Sequence, residues 1–132
     1  MSESEIPVTR TGKHMELPEL CAMAEEEVAM IATVLPEGVK EQAAACPVSY
    51  ENKPRADDGL GDDLLGLFEG ASLIDEPDPN ALPLIRIFVA NLWEYTERDE
   101  QDFRDEVGTT YLHELGHYLG WDEDEVTERG LE

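Results

Sequence analysis

The sequence predicts an α+β fold, a short and mostly antiparallel sheet packed against an N-terminal helix and a C-terminal helix. Three observations predict it. Apolar residues recur at three- and four-residue steps from Leu20 to Leu35, a β-branched run occupies 84–90, and helical spacing returns after Thr96 and holds through Leu119. With 132 residues the chain has the length of one domain and can bury a core without staples. At 41% hydrophobic and 31% charged residues it is too apolar to stay disordered. Residues 1–15 lack periodicity and are expected to form a flexible arm, leaving 16–132 as a single domain.

The first helix is expected from Pro18, a residue suited to a first turn, with Leu20, Met23, Ala24, Val28, Ile31, Val34 and Leu35 on its apolar face. Glu25, Glu26 and Glu27 lie largely off that face, and Pro36 with Gly38 ends the segment. A short helical stretch from Val39 to Ala44 leads into a strand over 46–50. Pro54, Gly59 and Gly61 mark 51–63 as a polar loop. Leu64 to Gly70 reads as a second strand ending in a turn, with Ser72 to Ile74 returning as a hairpin arm. Three prolines make 75–83 a loop, and Leu84 to Ala90 is the best strand in the chain. Arg86 in its middle implies an edge position or one partly wet face. Trp93 and Tyr95 beyond it read as core or rim packing, with a cleft wall as the second use.

Nine Lys and Arg against 32 Asp and Glu give a formal charge of −23. Such a surface repels phosphate backbones and anionic lipid, so neither nucleic acid nor membrane is expected as a partner. Met1 to Glu5 is acidic with no apolar run behind it, and the longest apolar stretch, 81–93, is interrupted by Arg86. A cytoplasmic protein is expected. Cys21 and Cys46 are too few for a disulfide scaffold, and Cys46 reads as a small buried hydrophobe.

The chemistry is concentrated at His113-Glu114-Leu115-Gly116-His117. On a helix, side chains at i and i+4 stand one above the other, so both imidazoles can reach one cation. Glu114 points about 100° away, beside the ion, where a carboxylate can take a proton from an attacking water. Thr109, Thr110 and Gly116 line the same side and leave room for a ligand, while Glu106 lies two turns earlier, too far along to share the ion. A helix supplies only two ligands at this spacing, and a hydrolytic zinc site takes a third from the protein. The run continues Tyr118-Leu119-Gly120-Trp121-Asp122-Glu123-Asp124, giving H-E-x-x-H-x-x-G-x-x-E. Gly120 can adopt the left-handed conformation that ends a helix and reverses the chain. A chain reversed there returns about three residues later, which assigns Glu123 as third ligand, with Asp122 and Asp124 as competitors. His14, in the N-terminal arm, reads as incidental.

These residues, with Leu64-Leu65-Gly66-Leu67-Phe68-Glu69-Gly70 and the strand before the helix, resemble the small bacterial zincin-like metallopeptidases over about residues 16–131. The resemblance implies a compact zincin-like domain, one Zn²⁺ per chain, His113 and His117 as ligands and Glu114 as the catalytic carboxylate. It departs from the family at Glu123, where members usually carry Asp, and no Met follows the motif to make a Met-turn.

The expected function is zinc-dependent hydrolysis of a peptide or protein substrate, with an extended substrate adding as a strand beside Leu84–Ala90. Two rivals remain in view. One is a non-catalytic zinc-binding interaction module, its site closed by Glu114 or Asp124. The other is an acidic α+β protein without metal.

Overall fold

The computed structural model describes residues 15–55, 59–76 and 78–120. The chain order is α1 (Leu17–Val34), α2 (Glu37–Ala44), β1 (Val48–Glu51), β2 (Gly66–Glu69), β3 (Leu84–Phe88), α3 (Val89–Tyr95) and α4 (Glu100–Tyr118). The fold is α+β. A three-stranded sheet in the order β1-β3-β2 packs against α1 and α4.

Local chemistry sets the helix ends. Glu16 and Glu19 close a capping box at the start of α1, with Glu19 accepting the Glu16 N–H at 2.9 Å, and Pro18 sits in the first turn. Leu35, extended before Pro36, stops the helix. Asp99 caps α4 by accepting the Asp102 N–H at 2.9 Å, and Glu100 and Asp102 complement the helix dipole there.

The core joins the faces that these periodicities create. Leu20, Met23, Ala24 and Val28 of α1 meet Phe103, Val107, Tyr111 and Leu115 of α4 over Ile85 and Ile87 of β3. Trp93 of α3 is buried edge-on against Phe103, with ring centroids 5.5 Å apart. Tyr95 is exposed, and neither ring lines the cavity beside His113 and Glu114.

Four expectations are corrected. The sheet is mixed, since β1 pairs with β3 in parallel (Val48 beside Ile85) and only β2 runs antiparallel to it (Gly66 beside Ile87). β3 is the central strand, not an edge. Its Arg86 is buried because Glu51 of β1 accepts from Nε and Nη2 at 3.0 and 2.8 Å and Glu69 of β2 from Nη1 at 2.8 Å. One guanidinium thus crosses all three strands and stands 5.1 Å from the centroid of the Phe88 ring. Third, the strand stops at Phe88 and runs directly into α3 rather than continuing to Ala90. Fourth, Ser72 to Ile74 forms no strand; the Leu73 N–H instead donates to the Tyr118 carbonyl at 2.8 Å, tying this turn to the end of α4.

Candidate metal centre

α4 carries the site in its last two turns, and β2 frames it. The β2 backbone lies so close to α4 that a Cβ on Gly66 would run into Thr110 Cγ2 and stand 3.7 Å from Glu114 Cγ. The arc of α4 expected to be open is therefore partly covered: Thr110 and Gly116 are buried, as is Glu114 beside them, whereas His113 and His117 keep partial access to solvent.

His113, Glu114 and His117 each offer a donor atom, and these atoms lie within 4.8 Å of one another. The two imidazole rings are edge to face with centroids 4.7 Å apart. His117 Nδ1 is 3.1 Å from Glu114 Oε1, and the Glu114 side chain is only 12% exposed. In the tautomer with the proton on Nδ1, His117 donates to Glu114 and presents the Nε2 lone pair outward. The nitrogen and oxygen donor set suits Zn²⁺, whose tetrahedral shell places neighbouring donors about 3.3 Å apart, within a side-chain rotation of this spacing.

The helix end behaves as its glycine requires. Gly120 is left-handed at φ 82°, and its N–H donates to the His117 carbonyl at 3.0 Å. A side chain there would also meet Ile74 at 2.6 Å. Asp122, Glu123 and Asp124, and with them the third-ligand assignment, lie outside the described residues, as does His14.

Beside the metal group opens a cavity of about 450 Å³, bounded by 63–66 and by Glu106, Thr109, Thr110, His113 and Glu114. Sequence reasoning placed Glu106 too far away to ligate, and the structure gives it a place in this wall. It missed Asp63 and the backbone at Gly66, because the loop before β2 carries no local sign that it folds onto α4. Past the histidines, at the C-terminal end of α4, Tyr118, Leu73 and Leu82 line a second, more apolar hollow of about 400 Å³.

Cys46 stays out of the chemistry: burial pushes its thiol up to about 11, so no thiolate competes for a metal at neutral pH. Among the described residues no helix is long and apolar enough to cross a membrane.

No curated protein matches the chain. The family model of the zincin-like metallopeptidases matches residues 43–131, about two-thirds of the sequence, from just before β1 to just short of the C-terminus. That span contains β1 to β3, α4 and the His113-Glu114-His117 group, and the family implies a metal, typically zinc, at such a group. The chain belongs to the zincin-like metallopeptidase family.

Proposed function

We propose that the chain is a zinc-dependent peptidase in which Glu114 is the general base and Glu123 the third protein ligand. One observation carries the reading: a nearly buried carboxylate has its donor atom within 4.8 Å of those of two helix-borne imidazoles and lies in the wall of an open cavity. When bound, zinc would supply Lewis acidity, lowering the pKa of a water toward about 7 and polarising the scissile carbonyl. His113 and His117 would hold it through neutral imidazole nitrogens. Glu114 would accept the proton of the attacking water and deliver it to the leaving amine. Burial of Glu114 against β2 fixes the carboxylate without further ordering when substrate arrives.

The sheet supports a changed docking edge. β3 is paired on both sides and cannot accept a further strand, so the extended substrate expected there belongs instead on β2, the edge strand against α4. This places the substrate backbone along the metal-bearing face of the helix.

The contact between Glu114 and His117 favours one other reading, a closed non-catalytic zinc module in which Glu114 is itself a ligand. A single variant separates the two. Under the peptidase reading, Glu114→Gln keeps about one zinc per chain by elemental analysis and loses hydrolysis, because an amide does not take up the proton. Under the module reading, the same variant loses zinc and the wild type turns nothing over. Loss of zinc from His113→Ala and from His117→Ala is required by both.

A further inference from the structure

We propose that the cavity beside the metal group is the subsite for a lysine or arginine side chain, so that the substrates are segments with a cationic residue next to the cut bond. The proposal rests on the peptidase reading and assigns it a substrate class.

Three features of the cavity point the same way. Asp63, from the approach to β2, and Glu106, from α4, both line it, and among the described residues neither carboxylate has an ion-pair or hydrogen-bond partner. Thr110 lies in the same wall and is 8% exposed, and its hydroxyl likewise has no partner among the described residues. Thr33 in α1 returns its hydroxyl to the Met30 carbonyl at 2.7 Å, and buried Thr96, at the C-cap of α3, returns its own to the Leu92 carbonyl at 2.9 Å. Among the described threonines only exposed Thr109 matches Thr110 in lacking such a bond. The Thr110 methyl abuts Gly66, and the residue as a whole lines the cavity. A buried hydroxyl without a partner is costly, and a ligand that bonds it removes the cost. Third, Leu64 and Leu65 give the cavity an apolar side and, at about 450 Å³, it is roomier than a bare ion needs.

A ligand that satisfies this wall donates hydrogen bonds to two carboxylates and a hydroxyl, carries positive charge, and brings an aliphatic stem for the leucines. A lysine ammonium has three donors on such a stem, and an arginine guanidinium has five. The field of a chain at −23 steers cations toward it. Direction follows from the strands. β2 and α4 both run away from the cavity, with Gly66 beside Thr110 and Phe68 packed on Tyr118 at 5.8 Å between ring centroids. A segment added antiparallel to β2, the pairing slightly more stable per residue, therefore runs toward the cavity. Its cationic residue falls on the C-terminal side of the cut bond.

The test uses fluorescent ten-residue peptides that differ at one position, Lys, Arg, Ala or Glu. Binding is read by anisotropy on zinc-loaded Glu114→Gln, which does not consume them, and cleavage is read on the wild type. The Lys and Arg peptides should bind about tenfold tighter than the Ala peptide, and the Glu peptide weakest. Asp63→Asn/Glu106→Gln should erase that order, whereas the equal charge loss of Glu41→Gln/Glu76→Gln, outside the cavity, should preserve it. Equal affinities for all four peptides, no binding of any, or an order that survives the cavity variant each overturn the proposal. So does a calcium site lost in that variant without any lysine preference, which would make the cavity an ion site. An intact order in binding with no cleavage by the wild type overturns the peptidase reading and leaves the cationic subsite standing.

Discussion

Replacing Gly66 by alanine tests the contact on which the site's geometry depends. The new methyl would run into Thr110 Cγ2 and stand 3.3 Å from the Arg86 carbonyl oxygen. Thr110 is buried and β-branched, so it has few places to turn, and β3 holds the Arg86 carbonyl in the sheet. The strain must lift β2 away from α4. Overpacking of this kind costs about 2 kcal/mol, offset by about 0.5 kcal/mol for the smaller entropy of an unfolded alanine, a net loss of about 1.5 kcal/mol. At about 2.1 cal/mol/K of unfolding entropy per residue, the loss lowers Tm by about 5 °C for a chain of 132 residues. Calorimetry and urea unfolding both read it. Thr110→Ser removes the offending methyl, so Gly66→Ala on that background should cost much less than on the wild type. Equal costs on the two backgrounds, or an unchanged Tm for Gly66→Ala alone, would refute the claimed contact between strand and metal helix.

Further outcomes follow from the same geometry. Zinc should raise Tm and a chelator should reverse the rise; at a free concentration of 100 times Kd the gain is about 2.7 kcal/mol, and an unmoved Tm would mark the metal as adventitious. Glu123→Ala should weaken zinc binding, read by competition with a chromophoric chelator, far more than Asp122→Ala or Asp124→Ala. A larger loss from either neighbour would reassign the third ligand. Stability should fall as pH rises above about 9. Burial holds Cys46 protonated to about 11, and burial together with the nearby Glu25 charge holds Tyr50 to about 12. In the unfolded chain these groups ionise near 9.0 and 10.0, so the unfolded state sheds protons first and is favoured across that window. Urea midpoints that stay level from pH 8 to pH 11 would contradict this burial.

The sequence made the helices and the two-histidine spacing legible because both are local. An apolar stripe every three or four residues specifies the buried face of α1, and the i, i+4 spacing of His113 and His117 places the two rings together on any helix that forms. What it hid was non-local. Arg86 in a β-branched run read as a wet or edge position, since its neutralising partners Glu51 and Glu69 lie 35 and 17 residues away. The parallel pairing of β1 with β3 was equally hidden. Its connection carries β2 rather than a crossover helix, so nothing in the intervening residues announced it. Val89 to Tyr95 begins with residues as suited to a strand as to a helix, and its helical form depends on packing against α1 and α4. At the site, Glu114 was legible by its place in the motif, but the cavity beside it was not. Asp63 and Gly66 reach α4 through tertiary folding of a loop whose own composition signals only a turn.

X-ray absorption at the zinc edge, on the zinc-loaded wild type, tests the central claim most directly. The account predicts one zinc per chain in a four- or five-coordinate shell, with two imidazole nitrogens at about 2.0–2.1 Å and the remaining ligands oxygen. Loss of the imidazole scattering should accompany His113→Ala/His117→Ala. A shell of carboxylate and water oxygens without imidazole, or a sulfur at about 2.3 Å, would contradict it and place any bound zinc elsewhere on this acidic chain.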